Sequence, residues 1–233
     1  MAPPVVDPKG ATIRVTPYAM SASPTCAGKL DVISNLNQRK IIEVMRKSRQ
    51  EAAETRQRIV EAASSRFREN GIDGTAVADL MSQAGLTHGG FYKHFTSKEH
   101  VVLESLQLAA GSLRESMEAS LSRSTDVRGL NAAINDYLSL EHRDDPGSGC
   151  PFVALAGELA RSSDEVRDAA TEGVVNLVNL IASRLTELPP AAARKKALVM
   201  LSTMMGALTM ARMVNDEQLS SSILREAKKA LLP

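Results

Sequence analysis

The chain is 233 residues long, 43% hydrophobic and 24% charged. That balance belongs to soluble globular proteins and excludes a collagen, a coiled-coil rod and a wholly disordered chain. Its 28 lysines and arginines nearly cancel 27 acids, and the net charge of +1 gives no overall attraction to nucleic acid or to an anionic membrane.

With no tryptophan and only seven tyrosines and phenylalanines, a β-sandwich or barrel is disfavoured, and abundant Ala, Leu, Met, Glu and Arg favour an all-α fold. Two cysteines, Cys26 and Cys150, are too few for a disulfide scaffold or a cysteine-based zinc site, and they fit a reducing cytoplasm. The start, MAPPVVDPKG, has no apolar signal core. The most apolar long window, residues 197–214, contains Ser202, Thr203, Thr209 and Arg212, and reads as a buried helix rather than a membrane span.

Residues 1–44 are interrupted by Pro3, Pro4, Pro8, Pro17 and Pro24 and keep no apolar period for two turns, so this stretch is expected to be a disordered extension. The character changes at Met45, which would itself serve as a protein start; residues 1–44 would then be absent from the native protein. Charge is uneven along the chain. It sums to +2 over residues 1–44 (five basic, three acidic) and +2 over 45–100 (nine, seven), and to −3 over 101–233 (fourteen, seventeen). The body beyond residue 100 is therefore mildly acidic, and the excess positive charge lies ahead of it.

Nine helical segments are expected from residue 53 onward. In the first, residues 55–70, Ile59, Ala62, Ala63 and Phe67 form one stripe that stops at Asn70-Gly71, with Gly71 suited to the left-handed region. Thr75 is placed to cap a short helix through Ala84 bearing Val77, Leu80 and Met81, Gly85 turns the chain, and Thr87 is placed to cap a second short helix through Phe95. Thr96-Ser97-Lys98-Glu99 reads as a capping box opening a long helix with Val102, Leu106, Ala109, Leu113 and Met117 on one face. Further helices are expected near 128–141, 151–161, 164–186, 190–213 and 217–231, each bounded by turn signals. No repeat period is present.

The helix, turn and helix at 75–95 form the most specific feature. A short helix, a glycine able to take positive φ and a second short helix make a unit whose second helix enters the DNA major groove. Gly89 and Gly90 inside that second helix each cost about 1 kcal/mol relative to alanine. Their missing side chains let the backbone approach base edges or phosphates, which explains the concession. His88, Tyr92, Lys93 and His94 are hydrogen-bond donors for phosphates or bases, while Phe91 and Phe95 anchor the segment in the core. Lys98 sits in a first helical turn, where the helix dipole disfavours a cation unless an anion such as phosphate is near.

The run TRQRIVEAASSRFRENGIDGTAVADLMSQAGLTHGGFYKHFTSKEHVV resembles the N-terminal domain of TetR/AcrR-type transcriptional regulators over about fifty residues, with the elements A-G-L-T-x-G-x-F-Y-x-H-F and S-K-E. Met81 departs from the alanine common at that slot. The resemblance implies a homodimer on near-palindromic double-stranded operator DNA, a DNA-binding domain at 45–105, and a helical ligand-binding and dimerisation domain at 106–233 whose last two helices pair in a four-helix bundle. Ala197, Leu198, Leu201, Met204, Met205, Leu208 and Met213 would supply one face of that bundle, and Leu219, Ile223 and Leu231 the other. It further implies phosphate contacts for Tyr92, His94, Thr75, Thr87 and Lys98, base or phosphate contacts for Lys93 and His88, and a mobile basic arm of Arg46, Lys47 and Arg49. The regulator is expected to be a cytoplasmic repressor released by an unknown small hydrophobic or electrophilic ligand, with no enzymatic role, cofactor or metal.

Gly149-Cys150-Pro151 followed by FVALAGELARSSDEVR resembles one branch of these regulators. Cys150 at a helix N-terminus is a candidate thiol sensor through a lowered pKa, with a small buried residue at a tight turn as the alternative. Met200, Met204, Met205, Met210 and Met213 are candidates to line an adaptable pocket or to fill core and interface. An enzyme with Cys150 as nucleophile and His142 as base finds no orienting group or oxyanion loop in the sequence.

Overall fold

A computed structural model of the chain describes residues 24–124 and 127–232, with side chains from residue 43 onward except at 127. The described residues fall into two units, those up to residue 51 and those from residue 52 onward. The described residues are helical throughout, as the composition leads one to expect, and none of their helices is long and apolar enough to cross a membrane.

Helix α1 spans Pro24–Asn70. This corrects the expectation of disorder across 1–44 for residues 24–44; residues 1–23 lie outside the described residues. The physical reason is local. Pro24 is the last proline before Pro146, it stands at the first position of the helix, where its fixed φ is favourable, and the Leu, Lys, Gln and Arg that follow are good helix formers. Within the first unit, Arg46, Lys47 and Arg49 are exposed on this helix, so they are part of a regular element and not an irregular arm.

In the second unit, α1 buries Ile59, Ala63 and Phe67 and ends at Gly71, whose φ of 81° is the left-handed stop that a glycine permits. Helix α2 (Val77–Gln83) buries Leu80 and Met81, and Gly85 turns the chain at φ 72°. A 3₁₀ helix at His88–Lys93 follows, then α3 (Lys98–Leu121). The second short helix is therefore tighter than the α-helix expected. Two consecutive glycines weaken an α-turn, and short connecting segments are where 3₁₀ geometry is used.

The remaining helices are α4 (Val127–Tyr137), α5 (Leu140–Asp144), α6 (Pro151–Ala154), α7 (Ala156–Leu159), α8 (Asp164–Ala182), α9 (Pro190–Met213) and α10 (Glu217–Leu231). Two segments expected as single helices are split. Ser139 caps α5 by accepting from the His142 N–H at 3.0 Å, and Leu155 leaves helical geometry between α6 and α7. Helix α3 is the central element, running through residue 105 without a break and packing on α4 and α8; α8 packs on α9, and α9 on α10. Ala197, Leu201, Met204 and Leu208, spaced along one face of α9, are buried with Val178 and Ile181 of α8 in one continuous core.

Candidate nucleic-acid interface and regulatory cavity

The 3₁₀ segment is held from beneath by Phe91 and Phe95, both buried, with their rings stacked 5.6 Å apart. Arg56 of α1 fastens its end. The guanidinium lies 4.1 Å over the Phe95 ring, donates to the His94 carbonyl and to both oxygens of Glu104 on α3, and approaches His100 Nε2 at 3.3 Å. One arginine thus ties α1, the short segment and α3 together. Sequence reasoning missed this group, although His100 and Glu104 stand one helical turn apart, the spacing of a side-chain pair.

With the aromatics turned in, Thr87, His88, Gly89, Tyr92 and Lys93 are exposed on the outer side, Tyr92 at 71%. A Cβ built at Gly89 would meet nothing within 4 Å, and one at Gly90 would meet only Met81 Cε at 3.5 Å. Packing within the chain therefore does not require glycine at 89. His94 is half-buried, with its carbonyl engaged by Arg56.

Three expectations near this surface are corrected. Thr75 does not cap α2: Ala76 holds that position, and Thr75 is buried, its hydroxyl donating to the Gly71 carbonyl at 2.7 Å to close the turn after α1. Its side chain is thereby withdrawn from the surface. Thr87 occupies the position ahead of the 3₁₀ helix but makes no side-chain cap. The cap of α3 is Ser97, whose hydroxyl accepts from the His100 N–H at 3.1 Å, while the Thr96 hydroxyl lies 3.3 Å from His100 Nδ1; no Thr96–Glu99 box forms. Lys98 is half-buried and donates to the Ile72 carbonyl, so the cation in the first turn of α3 has a partner within the chain.

In the body, a cavity of about 320 Å³ opens between α3, α4, α5 and the loop that follows. Its lining carries Leu113 and Met117 with Ser112, Ser116 and Ser120 from α3, Ala133, Asp136 and Tyr137 from α4, and Glu141, His142, Asp145 and Ser148 beyond. Of the methionines weighed as pocket lining or as core and interface, none lines this cavity. Met200 and Met204 are core residues, and Met210 and Met213 face outward.

His142 organises one end. Its Nε2 accepts from the Cys150 N–H at 2.9 Å, which fixes the proton on Nδ1, and Nδ1 donates to the Tyr137 carbonyl at 2.6 Å. Burial holds its pKa below the ordinary value of 6.5. Gly149 allows this approach, because a Cβ there would lie 2.8 Å from the ring. Cys150 is fully buried, and burial pushes its thiol pKa up, the reverse of the lowered value expected at a helix start. Helix α6 behind it has only four residues, and desolvation dominates. His142 meets the Cys150 backbone, not its thiol, as a general base would. Among the described residues no group of three His, Cys, Asp or Glu is placed to hold a metal ion.

Two bridges connect this body to the head. Arg68 of α1 donates through Nε to the Gly147 carbonyl at 2.7 Å and through a terminal nitrogen to the same oxygen. Glu158 of α7 accepts through Oε1 from the backbone N–H groups of Ile72 and Asp73, at 2.7 and 3.1 Å.

Comparison with known proteins agrees with this architecture. Residues 59–104 match the family model of bacterial regulatory proteins of the tetR family, and residues 127–229 match that of the transcriptional regulator LmrA/YxaF-like C-terminal domain, together more than half of the chain. An uncharacterised HTH-type transcriptional regulator of Mycobacterium tuberculosis is 26% identical over 186 residues, covering 76% of this chain and 94% of its own. The HTH-type transcriptional regulator LmrA of Bacillus subtilis is 23% identical over 136 residues, covering 58% of this chain and 72% of its own. The crystal structure of a TetR transcriptional regulator from Chloroflexus aurantiacus superposes with a TM-score of 0.67 at 27% identity, over 78% of this chain and 94% of that one.

Fold and site together define a helix-turn-helix, DNA-binding regulator of transcription. The chain belongs to the TetR family.

Proposed function

We propose that the chain is a homodimeric repressor that leaves its operator when a small molecule fills the cavity in its body. The observation that carries the reading is the outward row of donors on a segment pinned from behind. His88, Tyr92 and Lys93 are exposed, while Phe91, Phe95 and Arg56 fix the backbone beneath them. Such a segment presents donors to a groove at little entropic cost, because its backbone is already ordered. Tyr92, Lys93, His88 and Thr87 are assigned to phosphates and base edges, and Gly89 to close backbone approach. His94 and Lys98 play a smaller part, since each has a group engaged within the chain. The backbone N–H groups at the start of α3 supply a further phosphate site. Thr75 contributes by closing the turn.

Pairing of two copies is assigned to the outward side of α9 and α10. Leu198, Val199, Met210, Met213 and Leu219 are exposed there, and a Cβ at Gly206 would meet nothing within 4 Å. Exposed apolar residues grouped in this way mark an interaction surface. Ala197, Leu201, Met204 and Leu208 belong instead to the core of one copy.

Release is assigned to the two bridges. The loop carrying Asp145, Ser148 and Gly149 walls the cavity and also bears Gly147, which Arg68 of α1 grips. A ligand that displaces this loop pulls on the helix that anchors the reading segment. Two heads must stand about 34–36 Å apart to meet successive half-sites, so a small rotation suffices for release. Cys150 as a sensor of oxidants is the weaker alternative, because the thiol is buried and held protonated.

The experiment is selection of bound fragments from the source genome, followed by anisotropy titration of the recovered duplex at several salt concentrations. Sequence-specific, salt-dependent binding is expected; binding with no sequence preference would overturn the reading.

A further inference from the structure

We propose that the end of the body farthest from the reading segment is a second contact for nucleic acid, which grips the phosphate backbone of a further duplex without regard to sequence. It lies apart from both the cavity and the 3₁₀ segment, and it goes beyond the repressor reading above. Charge is spread unevenly over the body. Residues 182–199 and 222–233 hold seven lysines and arginines against two acids, whereas the rest of 101–233 holds seven against fifteen. The fold brings the two basic stretches to one end. Arg184, just past α8, donates to the hydroxyl of Ser122, just past α3, at 3.5 Å. Arg194, in the second turn of α9, donates to Asn179 of α8 at 2.6 Å. The short link at 214–216 turns α10 back along α9, so its last turn returns toward the start of α9. Helix α3 has 24 residues, which places this end about 36 Å along it from Lys98, beside the reading segment.

Few of these cations are answered by an acid. Glu226 is shared by Arg225 and Lys229, each at 3.1 Å. Arg184 and Arg194 meet the neutral groups just named, and Lys195, Lys196 and Lys228 have no side-chain partner among the described residues. Cations at the C-terminal ends of α8 and α10 complement the helix dipoles, which accounts for Arg184, Lys228 and Lys229. Arg194, Lys195 and Lys196 have no such reason. They are exposed and follow the first turn of α9, at its positive end, with no acid in that turn to offset them. Three successive cations there, with four more close by, are unfavourable for the fold alone and favourable when an anion lies against them.

A surface of this kind fits a polyanion. A duplex carries one negative charge for about every 1.7 Å of its axis, and each lysine or arginine that meets a phosphate releases a condensed counterion. No aromatic residue stands in 182–199 or 222–233, so the surface offers charge without base stacking, which suits a duplex backbone better than a single strand. The chain is a DNA-binding regulator. Once its head is on DNA, neighbouring segments of the same molecule are the polyanion at the highest effective concentration. Held at both ends, the protein bridges two segments.

The test uses the full chain and a random-sequence duplex. Lysine reactivity toward a limiting acetylating reagent is read residue by residue by mass spectrometry, with and without the duplex. Lys195, Lys196 and Lys228 are expected to react freely in the protein alone and to be protected severalfold by the duplex. Titrating the protection of Lys228 follows this end by itself. In the double variant Lys195→Gln, Lys196→Gln that titration should move to higher duplex concentration and its salt slope should fall by about two units, one for each phosphate contact removed. The melting temperature should hold, since both side chains are exposed, and Lys195→Arg with Lys196→Arg should restore binding. Four results would overturn the inference: lysines at 195 and 196 already unreactive in the protein alone, as in a contact between copies; protection of Lys93 without Lys228; a Lys228 titration indifferent to the double variant; or equal protection by vesicles of phosphatidylcholine and phosphatidylglycerol. Protection of Lys228 with none at Lys93 would sustain the second contact and overturn the assignment of the head.

Discussion

The Arg68 guanidinium on α1 grips the carbonyl oxygen of Gly147, with Nε at 2.7 Å, so a helix of the DNA-reading head is tied to the loop that walls the cavity. Burial lowers the Arg68 pKa, and the facing charges of Asp145 and Glu69 oppose that shift. The carbonyl ties one side chain to one loop, and its loss should uncouple the two sites without abolishing either. Ser116→Trp, which fills the cavity from α3, should change operator affinity by about fivefold or more, the lower end of ordinary coupling energies. In an Arg68→Ala background the same substitution should change it little. A double-mutant cycle read by anisotropy measures the difference, and a full effect in both backgrounds would place the coupling elsewhere.

Tyr92→Phe and Lys93→Ala remove donors from exposed side chains, so neither should lower the melting temperature. Each is expected to weaken operator binding and, where the lost contact is to a phosphate, to reduce the salt slope by about one unit. Titrations at three ionic strengths suffice. Unchanged affinity in both variants would move the reading surface off the 3₁₀ segment.

Gly89→Ala separates folding from function. Nothing in the chain lies within 4 Å of the added methyl, and the glycine has no positive φ, so stability should hold or rise by up to about 1 kcal/mol. Operator affinity should nonetheless fall if, as proposed, the backbone at 89 approaches DNA closely. Thermal denaturation and anisotropy on one preparation check both halves.

His142 gives the fold a dependence on pH. The neutral ring is the form the fold holds, because Nε2 accepts from Cys150 N–H and cannot do so when protonated. The folded pKa therefore lies below 6.5, while the unfolded chain takes up its proton near 6.5. The stability this confers is present above that value and is lost as pH falls from it through the lowered folded value. His142→Gln should be less stable at neutral pH and should flatten the dependence in that window. Denaturant midpoints at intervals between neutral and mildly acidic pH measure it, and parallel curves for the two proteins would exclude His142 as the source.

Much of this was legible in the residues. The bounds of α9 and α10 follow from Pro189-Pro190 and from the period of their apolar residues, and Phe91 and Phe95 declare themselves as anchors by their spacing. The start of α1 was not, because five prolines near the N-terminus lowered the expectation for a stretch that holds only one of them, at its first position. The choice of Ser97 over Thr96, and the inward turn of Thr75, depend on which hydroxyl a neighbouring chain segment meets, which local spacing does not specify. Arg56, Arg68 and Glu158 reach across 38 to 86 positions of sequence to their partners, and no periodicity encodes a pairing at that range. The cavity is of the same kind: its lining comes from α3, α4, α5 and a loop, each unremarkable alone.

Glu158 accepts from two successive backbone amides, Ile72 and Asp73, just beyond Gly71, where a Cβ would stand 3.1 Å from its Oε1. One carboxylate therefore holds two successive amides of the turn that follows α1. Partial withdrawal is unfavourable, since it strands two donors and a charge at once while forming nothing new. The junction is consequently a detent, which resists small displacements and gives way as a unit.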